Sequence, residues 1–349
     1  MKIAWIAILV LLSLPLTACK LYVVRQAIHQ NNLYNSRKPV AEVIKDQSAK
    51  DIYVKKLGFV QELLQYADES GLDTKNTYRY FVDTEGRPVS YLVQAAEVDR
   101  LEFVNWWFPF VGNVPYLGFF SIEERDEKAN ELRESGYDVN IGDVTAFSGL
   151  GWFEDPIYSS MLDRNDTDIA QLFFHELTHR TIWIKDSVVF NENLAEFIAI
   201  TLTNEYFAKM NRVAELERYA KRNEDKTTFK LWLKDLKKEL EKIYIEYHEK
   251  EDNSLNSRVE MLEKKKEIFG LYTEGGKKPK FIYADYVKGR VWNNATILGS
   301  SLYIPDMERF EEAYDCVSPK EIKEFLKQLS VYAEEEDDPF NILKRMCHE

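Results

Sequence analysis

Phe173-Phe174-His175-Glu176-Leu177-Thr178-His179, then an eleven-residue spacer, then Asn191-Glu192-Asn193-Leu194-Ala195-Glu196-Phe197: this stretch decides how the chain reads. On a helix, His175 and His179 are four residues apart and share one face, where two imidazole nitrogens can grip one metal ion. Glu176 sits beside them, placed to take a proton from a water activated at that ion. The chain has only 5 histidines among 349 residues. With so few, chance would place His-Glu-x-x-His in roughly one such chain in a hundred. The bland alternative is a helix whose histidines merely face core or solvent. Ile169, Leu172, Phe173 and Phe174 are apolar at helical spacing, and Ile182 and Trp183 continue the pattern. Asp166 or Thr167 supplies a start signal, which puts His175 in the middle of the helix rather than at a frayed end.

A second helix is predicted to follow at once, with Glu192 and Glu196 at i,i+4. A ligating histidine usually gives its other ring N–H to a carboxylate, which fixes the tautomer and strengthens the ligand. Glu192 as third ligand and Glu196 as the histidine's partner fill both roles; the reverse assignment is the alternative. From His179 to Glu192 is 192 − 179 = 13 positions. That leaves room for a helix end, a turn at Lys185-Asp186-Ser187 and a new start capped by Ser187 or Asn191. These glutamates could also lie on a solvated face, but Phe190, Leu194, Phe197, Ile198 and Ile200 surround them and turn them inward.

His-Glu-x-x-His followed by Glu-x-x-x-Glu on a second helix resembles the gluzincin metallopeptidases, the group that includes thermolysin. The longer string is similar to a bacterial family of predicted aminopeptidases. So are Trp107-Phe108-Pro109-Phe110-Val111-Gly112, Val114-Pro115-Tyr116-Leu117-Gly118, Phe147-Ser148-Gly149-Leu150-Gly151-Trp152-Phe153-Glu154-Asp155-Pro156 and Trp292-Asn293-Asn294-Ala295. The chain departs from the family pattern at Phe147 and Gly149, where a Tyr and a Thr are expected, and in the long charged region after the zinc helices. The resemblance implies one Zn2+, a peptide or protein substrate, and an α+β, mainly helical fold: a zincin-like core with a small β-sheet. It also implies a sheet edge that pairs with the substrate backbone. Ala146–Phe153 is the candidate, with Phe147, Ser148 and Gly149 on it; an ordinary core strand and turn is the competing reading. Glu154 and Asp155 are candidates to hold a substrate's α-ammonium, or simply open a turn before Pro156. A tyrosine often assists the oxyanion in this clan, and Tyr303, then Tyr286, are the candidates. An endopeptidase, or a non-catalytic zinc lipoprotein that binds or chaperones other proteins, are the alternatives to an aminopeptidase. The intact Glu176 argues against the last of these.

The N-terminus carries Lys2, an apolar run from Ile3 to Leu12, and then Leu16-Thr17-Ala18-Cys19. The run is too short for a comfortable membrane span and reads as a secretory signal. Leu-Thr-Ala-Cys is similar to the bacterial lipobox, which implies cleavage after residue 18 and lipidation of Cys19; an ordinary signal ending at Ala18 is the alternative. Several acyl chains would anchor the protein stably to a membrane. By analogy with lipoprotein sorting, Lys20 directs it to the outer membrane, facing the periplasm, where the cell has one. Cys316 and Cys347 then remain, either as a disulfide permitted by an oxidising compartment or as free thiols.

A net charge of −13 argues against nucleic acid as a partner. The predicted organisation is a signal peptide (1–18), a helical lead-in or stalk (19–77), the catalytic core (78–206), a charged helical hairpin (207–270) and a helical C-terminal region completing the site (271–349). Val54, Leu57, Val60, Leu63 and Leu64 form an amphipathic stripe in the lead-in. Val89–Gln94 and Val144–Phe147 read as strands. Residues 208–268 read as two long helices turning near 252–254, with charges that are usually solvated. Nothing in the sequence speaks to oligomeric state.

Overall fold

The computed structural model describes residues 35–46, 50–108, 112–144, 154–250, 252, 254–279, 284–302, 307–332 and 338–347. The signal peptide, Cys19, the Ala146–Phe153 segment with Phe147, Ser148 and Gly149, and Tyr303 lie outside them. Among the described residues the fold is mainly helical with three small sheets. Among the described residues, no helix is long and apolar enough to cross a membrane.

Lys38–Pro39 (β1) leads into helices Val40–Lys45 (α1) and Asp51–Glu69 (α2). Leu57, Val60 and Leu63 of the predicted stripe are fully buried. This part of the lead-in therefore packs on the main core rather than standing off it as a stalk. Tyr80–Val82 (β2) pairs antiparallel with β1 and parallel with Ile157–Tyr158 (β8). The second sheet is antiparallel, with Ser90–Ala96 (β3) between Leu117–Phe119 (β6) and Asp138–Val144 (β7). Helix Ile122–Glu134 (α3) covers it, burying Ala129 and Leu132 against Val93, Ala95, Leu117 and Phe119. The strand predicted at 89–94 is β3. Of the strand predicted at 144–147 only Val144 lies within the described residues, as the last residue of β7, whose run through Asn140, Gly142 and Asp143 hides the apolar alternation of a strand. Trp106–Phe108 (β4) and Gly112–Val114 (β5) form a two-stranded ribbon.

Helices follow from here to the end: Ser159–Leu162 (α4), Asp166–Thr181 (α5), Val188–Lys209 (α6), Val213–Glu249 (α7), Leu255–Thr273 (α8), Ala284–Lys288 (α9), Asn294–Leu302 (α10), Met307–Asp315 (α11), Ile322–Tyr332 (α12) and Pro339–Arg345 (α13). α6 is buried along most of its length and on nearly every side, as a helix at the centre of a core must be. α7 and α8 form the predicted charged pair, with the connection between Glu249 and Leu255. Lys264 reaches Glu246 at 3.1 Å and Lys250 reaches Glu260 at 3.6 Å across it. Its inner face is a second core: Phe229, Leu233, Leu236, Leu240 and Tyr244 pack with Met261, Tyr272, Trp292 and Ile297. Lys265, itself buried, donates to the Asp138 carboxylate and to the Val98 carbonyl (2.9 Å), pinning α8 to the second sheet. Cys316 and Cys347 form a disulfide, Cα–Cα 5.1 Å, so of the two sequence alternatives the structure has the bridge.

Candidate metal centre

α5 begins at Asn165, whose side-chain oxygen accepts from the Asp168 N–H at 3.0 Å. The cap thus falls just before the Asp166 or Thr167 expected from sequence. Asp166 and Asp168 occupy the first turn instead, where negative charge suits the helix dipole. Ile169, Phe173, Phe174 and Leu177 are buried in the main core, each phenylalanine contributing roughly 2–3 kcal/mol. That burial fixes the rotation of the helix and leaves Gln171, His175 and His179 aligned toward α6.

The connection to α6 is held by side chains. Asn191 accepts from the Ile184 N–H (2.9 Å) and donates to the Ile184 carbonyl (2.7 Å), so it ties the loop instead of capping the helix. Ser187 takes the cap position without a side-chain capping bond. Asp186, in the left-handed region at φ 60°, accepts at Oδ1 from both the backbone N–H (2.7 Å) and Nδ2 (3.0 Å) of Asn113. A Cβ on Gly112 would sit 2.3 Å from that same oxygen, and its φ of 78° also favours glycine. The β4–β5 ribbon is thereby seated on the loop between the two site helices.

His175, His179 and Glu192 come together here as a group that could hold a metal ion, each offering a ligand atom within 4.8 Å of the others. The two Nε2 atoms are 3.1 Å apart. Glu192 offers one oxygen to each ring, Oε2 at 3.3 Å from His175 and Oε1 at 3.5 Å from His179. Two polar atoms of this trio, His179 Nδ1 and Glu192 Oε2, are buried without a hydrogen-bond partner. Glu192 Oε2 has the His175 nitrogen 3.3 Å away but makes no hydrogen bond with it, and a buried carboxylate oxygen left so is costly, which favours a cation between these groups. Behind the trio, Glu196 presents Oε2 to His175 Nδ1 at 3.5 Å. Trp183 packs on His179 with ring centroids 5.4 Å apart.

Electrostatics follow from this crowding. Burial alone would push the Glu192 pKa up, but His179 and His175 outweigh it and hold the carboxyl well below its usual range. Glu196 is likewise pulled down against burial, by His175, Lys226 and Gln171. Burial works against a charged His175, yet the neighbouring carboxylates of Glu192 and Glu196 raise its pKa well above the ordinary value. Glu176 moves the other way: burial raises it, and the neighbouring histidines offset only part of the rise.

A further layer comes from α7, whose charge run reads in the sequence as a solvated face. Gln171 Nε2 donates to Glu196 Oε1 at 2.6 Å, Lys226 Nζ pairs with the same oxygen at 3.3 Å, and the Tyr219 hydroxyl donates to Gln171 Oε1 at 3.0 Å. Tyr78 was also missed. It is buried, packs on Phe173 (ring centroids 4.8 Å apart), and its hydroxyl feels the charge of Glu176. Its left-handed φ of 55° leaves no mark in a sequence.

Glu154 pairs with Arg79 at 2.7 Å, and Asp155 is buried with its carbonyl accepting from the Tyr78 N–H at 2.7 Å. Tyr286 lies among Phe229 and Trp292. It also borders a cavity of about 780 Å³ lined by β3, β7, α7, α10 and α11. Among the described residues, that cavity reaches Glu196 and Lys226 but none of His175, Glu176, His179 or Glu192.

No curated protein and no solved structure matches the chain. A family model described as "Putative aminopeptidase" matches residues 21–339, nearly the whole length. The chain belongs to that family.

Proposed function

We propose that this protein is a zinc metallopeptidase with a zincin-like core that hydrolyses peptide bonds, acting as an aminopeptidase at the bacterial cell envelope. One observation carries the reading: the spacing of His175 Nε2, His179 Nε2 and the Glu192 oxygens. A tetrahedral zinc ion with bonds of about 2.0–2.1 Å sets its ligand atoms about 3.3–3.4 Å apart. Here the two imidazole nitrogens are 3.1 Å apart, and the two oxygens of Glu192 lie one at 3.3 Å from His175 and the other at 3.5 Å from His179, so the carboxylate is within ligand reach of both rings. Two imidazoles and a carboxylate are also the donor set of catalytic zinc, which keeps its fourth position for water or substrate.

When bound, a single Zn2+ would polarise the scissile carbonyl and lower the pKa of a water toward about 7. Glu176 is the base that would accept a proton from the attacking water and return it to the leaving amine. Burial moves the Glu176 pKa upward, the direction a base working near neutral pH needs. Glu196 keeps His175 in the tautomer whose Nε2 is free to ligate, by standing at Nδ1. The family points to free amino termini of peptides as substrates. Lipidation of Cys19 would place the enzyme on a membrane, the outer membrane facing the periplasm where the cell has one. The Cys316–Cys347 disulfide suits such an oxidising compartment.

Glu176→Gln tests the chemistry. The variant is expected to retain zinc and lose about 10²–10⁴-fold in turnover of free-N-terminal peptides. Retained turnover would sink the assignment, and cleavage of acetylated peptides at internal bonds would replace the exopeptidase with an endopeptidase.

A further inference from the structure

α7 meets α5 and α6 along a polar seam with helical spacing. Arg212, at its N-cap, pairs with Asp166 at 2.7 Å, and Tyr219 donates to Gln171 at 3.0 Å. Arg222 pairs with Asp168 at 2.7 Å and donates to the Thr167 hydroxyl, also at 2.7 Å. Lys226 reaches Glu196 at 3.3 Å. Residues 212, 219, 222 and 226 fall on one side of a helix. The first half of this charged helix therefore has its polar side committed to the metal-site helices.

The seam ends on one atom. Glu196 Oε1 receives Gln171 Nε2 and Lys226 Nζ, while its Oε2 faces His175 Nδ1. Gln171 is one helical turn before His175, and an amide can present either its oxygen or its nitrogen to a neighbour. The Glu196 carboxylate settles the choice: it can only accept, so the amide N–H₂ is turned to it, and Gln171 Oε1 is left to accept from the buried Tyr219 hydroxyl. Glu196 is thus held from behind by a neutral donor and a cation, and its second oxygen is left for the imidazole. Rotation of that carboxylate would release the His175 ring.

We infer that Lys226, with Tyr219 and Gln171, positions Glu196 and through it His175, so that α7 sets the metal affinity of a site to which it contributes no ligand. This rests on the zinc reading above. None of the three touches the reacting atoms; they are positioning residues.

The test is zinc affinity of the purified full chain, measured by competition with a chromophoric chelator, for wild type, Lys226→Met, Lys226→Arg and Tyr219→Phe. Partners one layer outside a metal's ligands typically change affinity 10–100-fold. That range describes Glu196; Lys226 acts one layer further out and is partly exposed, so Lys226→Met is expected to weaken zinc binding about threefold to tenfold, below most of that range. Lys226→Arg keeps the charge and is expected to restore most of the affinity. Tyr219→Phe should weaken binding in the same sense, and serves as the test where Lys226→Met fails to fold, which circular dichroism of the metal-free protein reports. Wild-type affinity in folded Lys226→Met, or in folded Tyr219→Phe where that variant must stand in, overturns the inference while leaving the zinc reading intact. A wild-type protein that binds no zinc removes both.

Discussion

On the zinc reading, binding of the ion expels a proton, and the expelled proton makes metal stabilisation depend on pH. In the metal-free centre, burial works against a charged His175, but Glu192 and Glu196 outweigh it and keep the ring protonated above its ordinary range. A ligand must be deprotonated to bind, so each ion displaces this proton. The sign follows from the raised pKa. His175 stabilises the metal-free fold fully below the unfolded value, near 6.5, and that contribution is lost as pH rises through the folded value. Zinc then competes with fewer protons. Between pH 6 and 7.5, displacement of one proton strengthens binding about tenfold per pH unit, equivalent to about 1.4 kcal/mol. At about 2.1 cal/mol/K of unfolding entropy per residue, a 349-residue chain converts this into about 2 °C of melting temperature per pH unit. The assay is thermal unfolding in excess zinc and in chelator across that range, with buffered free zinc. The gap between the two curves should widen as pH rises. A gap that is flat or narrows would refute the picture of a His175 proton held by Glu192 and Glu196.

Two further predictions concern the scaffold. Lys265→Met leaves the Asp138 carboxylate with the Asn294 N–H (2.8 Å) but without its buried cation. Breaking a buried pair on one side costs about 3–5 kcal/mol, to be read from urea unfolding; a loss under about 1 kcal/mol would mean that the pair is not the pin between α8 and the sheet. Gly112→Ala forces a Cβ against Asp186 at a left-handed φ, a strain of about 1–3 kcal/mol. Hydrogen exchange at the Asn113 amide, which donates to Asp186, should accelerate, and an unchanged rate would show that Asp186 does not seat the ribbon.

The pairing of His175, His179, Glu192 and Glu196 was legible because it depends on spacing alone. Helical periodicity put each pair on one face, and the apolar neighbours chose which face turned inward. Helix starts were less legible: Asn165, Asp166 and Thr167 are all competent caps, and the contest is decided by the bond to the Asp168 N–H. The outer layer was hidden for another reason. Tyr219, Arg222 and Lys226 sit in a Lys- and Glu-rich run that resembles a solvated face, and their partners lie on α5 and α6. The available signal was an isolated tyrosine followed by cations three and seven residues on, whose partners only tertiary structure reveals. β7 was obscured because its polar Asn140 bonds Gln94 inside the fold, so burial there does not follow hydropathy. The two-residue strands β1 and β8 have no pattern long enough to read.

The proposed chemistry requires an ion held between α5 and α6. Metal content of the purified protein, set beside that of His179→Ala, tests it most directly. One zinc per wild-type chain and none in the variant is the predicted result. A wild-type protein without metal, or equal zinc in both, would contradict it.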